Sequence, residues 1–202
     1  MPFVDDKNKI SYYHCKDCEY IFKHPSLYKD IEDQKERYDL HDNSAMNDGY
    51  RAYFQRFIDF MLPLVENSKD ALDFGCGESS LLASMLEEEG IACDYYDPIY
   101  HPNGLEDTKK YDLIVSTEVF EHLQNPKKIF EMLLKRLNVG GYLAIQTEFH
   151  TNEISSFLNW YYIKDPTHIV FFRAHTFEVL SSLYNCKVVD DNGKNMIVIK
   201  KK

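Results

Sequence analysis

The chain has 202 residues, enough for one domain with a sizeable hydrophobic core. It carries 33 acidic and 23 basic residues, a net charge of −10, and such an acidic surface disfavours a nucleic-acid partner because it repels the phosphate backbone. No apolar stretch approaches the roughly 18 residues that a membrane-spanning helix needs, so no membrane association is expected.

The N-terminal segment, residues 1–24, is rich in aromatic residues and is predicted to be irregular. It contains Cys15 and Cys18, whose spacing is that of half a structural zinc site. His14 and His24 are the nearest further candidates for ligands, but adjacent residues make poor joint ligands. Ordinary packing of the two thiols is therefore favoured over zinc, and no metal is expected among the site residues.

The cellular compartment is indicated by the same segment and by the cysteine count. The stretch MPFVDDKNKI lacks the charged-then-apolar form of a signal peptide. The chain has five cysteines, an odd number, which is typical of reduced thiols. We therefore expect a cytoplasmic protein.

The middle of the chain changes from charged to amphipathic. Residues 27–38 favour a helix, and residues 41–50 crowd Asn, Asp, Ser and Gly together, which predicts a turn. The next stretch, YRAYFQRFIDFMLPLV, has apolar residues at three- and four-residue spacing. This spacing predicts an amphipathic helix that ends near Pro63.

Strands and helices then alternate to the C-terminus. The predicted strands are residues 71–75, 91–97, 111–120 and 140–149, the predicted helices are 79–90, 126–138 and 175–185, and residues 186–201 form a hairpin with its turn at Asp191 to Gly193. This alternation predicts an α/β fold: a Rossmann-like, doubly wound, mainly parallel sheet with a C-terminal antiparallel hairpin strand. The chain is predicted to divide into residues 1–65 and 66–202.

The turn after the first strand, DFGCGESS, is a candidate ligand site, because ligands of open parallel sheets bind beyond the carboxyl ends of the strands. Gly75 and Gly77 let the backbone approach a ligand closely. A dinucleotide-binding turn would have a third glycine-like residue where Ser80 stands. The acids Asp73 and Glu78 disfavour a phosphate and suit an amine or a sulfonium. A tight turn without a ligand remains the alternative.

A second acid completes this pattern. Asp97 ends the second strand about 20 residues after the glycines, where a carboxylate accepts hydrogen bonds from both hydroxyls of a ribose. The ligand predicted by these features has a ribose, a positive end and no essential phosphate. S-adenosylmethionine fits that description.

Three motifs, DFGCG at 73–77, YDP at 96–98 and STEVFEHLQNP at 116–126, resemble those of the class I S-adenosylmethionine-dependent methyltransferases, most of all a bacterial subgroup of small members. The likeness extends from about Tyr38 to the C-terminus. The resemblance implies the following cofactor contacts: Asp73, Gly75, Cys76 and Gly77 at the methionine end, Asp97 at the ribose, Pro98 at the adenine, and Thr117, Glu118 and Val119 near the sulfonium.

The interval after YDP departs from the family pattern. Only residues 99–110 separate it from the next strand, where family members often have a helix and another strand. The acid that reads the adenine amine usually follows that interval. Glu106 or Asp107 is the candidate here.

The acceptor side is predicted from two segments beyond the strand ends. His122, in EVFEH, falls where the methyl group should be and is a candidate base; a hydrogen-bonded structural histidine is the alternative. NWYYIKDPTHIVFF, residues 159–172, should arch over the same end of the sheet. It offers His168 as a second base, and similar proteins carry a comparable D-P-T-H stretch, which implies a place on the substrate side. The remaining substrate candidates in this segment are Trp160, Tyr161, Tyr162 and Asp165. A loop whose aromatic residues are buried in the core is the alternative.

The segment before the first strand, RYDLHDNSAMNDGYR, also recurs in proteins that this chain resembles. The resemblance implies a helical lid over the cofactor. The predicted lid contacts are Tyr38, His41, Asn43, Tyr50 and Arg51, with Arg51 pairing with the cofactor's carboxylate. Solvated turn residues with no such role are the alternative.

The predicted function is methyl transfer from S-adenosylmethionine to a small-molecule acceptor, at oxygen, nitrogen or carbon. The first alternative is a non-catalytic protein that binds S-adenosylmethionine or S-adenosylhomocysteine, or an interaction module. The second is an NAD-dependent oxidoreductase, which Ser80 and the acids around the turn disfavour. The sequence does not indicate an oligomeric state.

Overall fold

The computed structural model describes residues 1–28, 48–105 and 108–202. Its strands and α-helices follow in chain order: β1 Pro2–Asp5, β2 Ile10–His14, β3 Ile21–Lys23, α1 Asp48–Met61, β4 Asp70–Phe74, α2 Leu81–Glu88, β5 Ala92–Tyr96, β6 Tyr111–Thr117, α3 Pro126–Arg136, β7 Leu137–Gln146, α4 Ile154–Asn159, β8 Val170–Phe171, α5 Ala174–Leu183, β9 Cys186–Asp191 and β10 Met196–Lys201. Within the described ranges no helix has the length and apolarity that crossing a membrane requires.

The main sheet has six strands in the order β5-β4-β6-β7-β10-β9. The first four are parallel, whereas β10 pairs antiparallel with β7 and with β9. This arrangement confirms the predicted mainly parallel sheet and its C-terminal antiparallel hairpin. Of the two hairpin strands β9 takes the edge position, and β10 lies inside the sheet.

Helices cover both faces of the sheet, because successive residues of its buried strands point to opposite sides. On one face Val115 of β6 packs in a core with apolar residues of α1 and α2. On the other, Ile114 packs with α3 and α5 residues, among them Phe130 and Phe177. The apolar face of α1 is therefore part of the sheet's own core.

The prediction that the N-terminal segment, residues 1–24, is irregular is wrong. Strands β1, β2, β3 and β8 form a second, antiparallel sheet, in which Ile21 pairs with Phe171. The strands are only two to five residues long, so they give little alternation to read from sequence. Because Tyr12 and Ile21 share a core with Tyr162, this sheet supports the loop that carries residues 161–168.

The predictions for residues 27–50 are tested only at their ends. Most of the predicted helix at 27–38 and of the predicted turn at 41–50 lies outside the described residues. Residues 48–50 form the first turn of α1 instead of a turn between elements.

Candidate active site

A cleft of about 1030 Å³ lies beyond the carboxyl ends of four neighbouring strands. Each strand is followed by residues that line it: Gly75 and Gly77 after β4, Asp97 after β5, Glu118 after β6 and Glu148 after β7. Neighbouring strands lie about 4.8 Å apart, and the strand order is β5-β4-β6-β7. Along the edge of the sheet the residues therefore follow in the order Asp97, the two glycines, Glu118 and Glu148. The predicted glycine turn and the predicted acid therefore open onto one cleft.

The two glycines of the turn have different reasons for being glycine. Gly75 has a φ of +83°, and a Cβ there would lie 2.2 Å from Cγ2 of Val119. Gly77 has a φ of +66°, but a Cβ on it would meet no atom within 4 Å. Gly75 is thus required by packing within the chain, whereas Gly77 keeps space free at the wall of the cleft.

Asp97 binds the glycine turn directly. Its Oδ2 accepts a hydrogen bond from the backbone N–H of Gly77 at 3.2 Å. Its Oδ1 accepts from the N–H groups of Ile99 and Tyr100 at 2.8 and 3.1 Å. These bonds fix the carboxylate between the ends of β4 and β5, where it lines the cleft.

Asp73 and Cys76 lie beneath the turn and do not line the cleft. Asp73 is buried, and neither carboxylate oxygen has a hydrogen-bond partner of normal geometry among the described residues. Burial raises the pKa of Asp73 to about 7, although the nearby backbone N–H of Ala83 opposes the shift. The Cys76 thiol donates to the carbonyl oxygen of Gly77 at 3.3 Å. Both residues support the turn from behind.

A cluster of carboxyl and hydroxyl groups follows β6. Glu118 has a φ of +53°, which is strained for a residue other than glycine. Its Oε1 accepts from the Tyr53 hydroxyl at 2.6 Å, and its Oε2 from the Tyr162 hydroxyl at 3.1 Å. The same Tyr162 hydroxyl donates to Oε1 of Glu121 at 2.6 Å, and Thr147 donates to Oε2 at 2.9 Å.

The hydroxyl group of Tyr162 has a single proton and contacts the carboxyl groups of both Glu118 and Glu121. Burial and the neighbouring carboxylate raise the pKa of Glu118, and burial raises the pKa of Glu121. The two groups therefore favour a state in which at least one of them holds a proton.

The two candidate bases, His122 and His168, are neighbours, with ring centroids 4.8 Å apart. Nδ1 of His122 donates to the carbonyl oxygen of Thr167 at 3.0 Å, and Nδ1 of His168 donates to that of Tyr162 at 2.8 Å. Burial lowers the pKa of His122 to about 4 and that of His168 to about 3. Both imidazoles are therefore neutral at pH 7, with the lone pair on Nε2, and are weak as general bases.

Most of the predicted site residues meet at the cleft. The structure brings together Tyr50, Gly75, Gly77, Asp97, Pro98, Thr117, Glu118, Val119, His122, Tyr161, Tyr162, Asp165 and His168. Four predicted residues do not line it: Asp73 and Cys76 lie beneath the glycine turn, and Arg51 and Trp160 point elsewhere. Arg51 forms an ion pair with Glu88, and Trp160 packs on Phe157 and Phe171.

Other predictions fall on residues whose structure is not described. Tyr38, His41 and Asn43 of the predicted lid, and Glu106 and Asp107 as adenine readers, are in this group. Of the two predicted lid contacts that the structure describes, Tyr50 lies at the cleft, where α1 begins, and Arg51 does not.

The cysteine pair lies in the turn between β2 and β3. Hydrogen bonds from Cys18 lower the pKa of Cys15, and burial raises the pKa of Cys18. Within the described part of the chain the pair belongs to no group of three or more possible metal ligands.

Several residues of the site were missed by the sequence analysis, among them Tyr53, Glu148 and Glu121. Tyr53 lies three positions after Tyr50 and so on the same helix face, which the helical spacing of α1 could have revealed. Glu148 follows the fourth parallel strand, where the strand-end rule applies. No signal of this kind marks Glu121, although it lies inside the EVFEH motif. Its complete burial is visible only in the structure.

The fold and the site define a class I S-adenosylmethionine-dependent methyltransferase: a parallel sheet with an antiparallel hairpin, a glycine turn after one strand and an acid after its neighbour. A family model described as "Methyltransferase domain" matches residues 46–191, well over half of the chain. The chain belongs to this family. A search of curated proteins finds no significant match.

Solved methyltransferase structures share the fold at low sequence identity. The magnesium protoporphyrin IX methyltransferase of Synechocystis, with bound S-adenosylhomocysteine, has a TM-score of 0.58 at 10% identity, covering 85% of this chain and 94% of that one. An N-methyltransferase of Bradyrhizobium japonicum in complex with S-adenosylhomocysteine has a TM-score of 0.54 at 13% identity, covering 84% and 97%. A methyltransferase of Archaeoglobus fulgidus has a TM-score of 0.54 at 19% identity, covering 75% and 94%.

Proposed function

We propose that the protein transfers the methyl group of S-adenosylmethionine to a small-molecule acceptor that binds in the same cleft. The observation that carries the proposal is the continuity of that cleft. It extends from Gly77 and Asp97, over β4 and β5, to Tyr161, Tyr162 and His168, over β6 and β7.

The residues over β4 and β5 fit the cofactor. The open space in front of Gly77 admits a ligand against the backbone, and Asp97 is held at the cleft wall as an acceptor for ribose hydroxyls. The carboxyl groups of Asp97 and Glu118 line the cleft and favour a ligand with a positive end. The cofactor supplies a methyl group on a sulfonium, which leaves as a neutral thioether.

The residues over β6 and β7 fit an acceptor. The aromatic rings of Tyr161 and Tyr162 and the imidazole of His168 form this wall, with Asp165 beside them. Pockets for one drug-sized ligand measure about 300–1,000 Å³, and this cleft reaches the top of that range. It is large enough for a cofactor and a small acceptor side by side, so that the chain aligns the two reactants.

The non-catalytic alternative shares the cofactor half of the cleft and differs only in turnover. The discriminating experiment incubates the protein with S-adenosylmethionine that is labelled in its methyl group, together with a filtered extract of small metabolites. We expect label to pass into the small-molecule fraction, and to remain on the cofactor when Asp97→Ala replaces the wild type. The non-catalytic alternative predicts stoichiometric binding of the labelled cofactor without transfer, whereas label in protein or nucleic acid would contradict a small-molecule acceptor.

A further inference from the structure

Three potential metal-binding side chains converge on the acceptor side of the cleft: Glu121, His122 and His168. Each offers one ligand atom, and the three atoms lie within 4.8 Å of one another. Oε1 of Glu121 and Nε2 of His122 are 3.8 Å apart. Donor atoms that share an ion at bond lengths of about 2.1 Å lie about 3 to 4 Å from each other. Small side-chain shifts therefore bring the three atoms to one ion.

The outer hydrogen bonds of the two histidines have the pattern of metal ligands. In each ring Nδ1 donates to a backbone carbonyl oxygen, that of Thr167 for His122 and that of Tyr162 for His168. Nε2 is then the nitrogen with the lone pair. Metal-binding histidines almost always donate their other ring N–H to such a partner, which fixes the ring and its tautomer.

The carboxylate of the cluster is fixed in the same way. Glu121 is fully buried, and its two oxygens accept from Tyr162 at 2.6 Å and from Thr147 at 2.9 Å. Glu118 stands beside it and shares the Tyr162 hydroxyl. The two carboxyl groups repel each other when both are ionised, and a divalent cation bound here would offset that repulsion in place of the proton that they otherwise share.

Among the described residues, Lys164 lines the same cleft and Lys23 faces the cluster. Lys23 reaches it from β3 and donates from Nζ to the carbonyl oxygen of Asp165 at 3.2 Å. Against these two cations stand the carboxyl groups of Glu118, Glu121, Glu148 and Asp165. The balance of charge around the two histidines therefore favours a bound cation.

We propose that Glu121, His122 and His168 bind one divalent first-row transition-metal ion at the acceptor end of the cleft. Two imidazole nitrogens and one carboxylate suit Zn²⁺, Mn²⁺, Fe²⁺ or Co²⁺ better than Mg²⁺, which prefers oxygen ligands. His122 and His168 line the cleft, so the remaining coordination positions face it and accept a ligand with oxygen donors. This role toward the acceptor rests on the proposed methyl transfer, whereas binding of the ion does not.

The test is calorimetric titration of EDTA-treated protein with ZnCl₂, MnCl₂ and CoCl₂, with bound metal counted by mass spectrometry. We expect one ion per chain. Because loss of an outer-shell partner alone weakens metal binding by about 10–100-fold, we expect His168→Asn and Glu121→Gln each to weaken it by at least about 100-fold. The matched control is the double variant Cys15→Ser/Cys18→Ser, which removes the other candidate ligands and should bind the ion as the wild type does.

The cobalt-loaded wild type provides a measurement that does not depend on folding of the variants. Ligation by nitrogen and oxygen predicts a visible spectrum without a sulfur-to-cobalt charge-transfer band, and acetohydroxamate, a small oxygen ligand, should change that spectrum. No binding at millimolar metal, binding lost only in the cysteine variant, a sulfur-to-cobalt band, or a spectrum that acetohydroxamate leaves unchanged would overturn the proposal. Titration with S-adenosylhomocysteine in the same calorimeter separates a failure of the metal site from a failure of the proposed function.

Discussion

The backbone N–H of Gly77 donates a hydrogen bond to the carboxylate of Asp97 across 3.2 Å. This bond joins the turn after β4 to the end of β5, its parallel neighbour. The two features that the sequence assigns to a cofactor are therefore connected within the chain itself. A substitution in one of them is expected to disturb the other.

The two glycines of the turn should respond differently to alanine. In Gly75→Ala the new Cβ would lie 2.2 Å from Val119 in a left-handed residue, so we expect unfolding to become easier by about 3 kcal/mol. In Gly77→Ala only the left-handed backbone costs stability, about 1 kcal/mol, and the Cβ enters the cleft. Urea denaturation and titration with S-adenosylhomocysteine measure the two effects.

The control for this pair is the double variant Gly75→Ala/Val119→Ala, which removes the colliding side chain. It should recover part of the stability lost in Gly75→Ala. In Gly77→Ala we expect the opposite pattern: the affinity for S-adenosylhomocysteine falls at least about tenfold, whereas the loss of stability is small. Equal stability losses in both variants would contradict the assignment of Gly75 to packing and Gly77 to the ligand.

Asp73 should make stability depend on pH. Burial raises its folded-state pKa from 3.8 to about 7, so between these values the folded chain keeps a proton that the unfolded chain releases. The free energy of unfolding therefore falls as pH rises from 3.8 to about 7. Above that range the destabilisation by the buried, ionised carboxylate is complete. Asp73→Asn removes it.

The measurement is the difference in urea midpoint between Asp73→Asn and the wild type at pH 5 and at pH 8. We expect the advantage of the variant to be larger at pH 8. An equal or smaller advantage at pH 8 would show that the carboxyl group is ionised in the folded protein at both pH values.

Lys23 is a positioning residue for the acceptor side. Its buried ammonium group donates to the carbonyl oxygen of Asp165, its backbone N–H donates to Ile169, and burial lowers its pKa to about 8. Lys23→Met keeps the apolar stem and removes the donor. We expect faster amide hydrogen exchange at His168 and Ile169, a stability loss of about 1 kcal/mol and unchanged affinity for S-adenosylhomocysteine.

The exposed Lys16→Met is the matched control and should change none of these quantities. If amide exchange at His168 is as slow in Lys23→Met as in the wild type, the hydrogen bond from Lys23 to Asp165 does not hold residues 165–169 in place.

The sequence predicted the main sheet well because its strands are buried on both faces and are separated by helices with clear apolar spacing. It also predicted that Gly75, Gly77 and Asp97 lie together at one edge of the sheet, because they follow strand ends at positions that the motifs mark. Strand-end positions are local features, and a single sequence shows them directly.

The other half of the site depends on contacts between distant segments. Glu121 and Tyr162 meet across 41 positions, and His122 meets the turn of Thr167 across 45. The second sheet depends on pairing of β3 with β8, which lie far apart in the chain. Arg51 and Trp160 were predicted at the site because of their neighbours in sequence. Their side chains instead contact Glu88 and the apolar core of the second sheet.

The central claim, that the cleft binds S-adenosylmethionine through the glycine turn and Asp97, is tested most directly by calorimetric titration with S-adenosylmethionine and S-adenosylhomocysteine. We predict micromolar binding of both ligands to the wild type. Asp97→Ala should weaken it by about 10–100-fold, the value of a lost charge-assisted hydrogen bond, while circular dichroism shows that the variant is folded. No binding of either ligand to the wild type, or equal binding to the folded variant, would contradict the account.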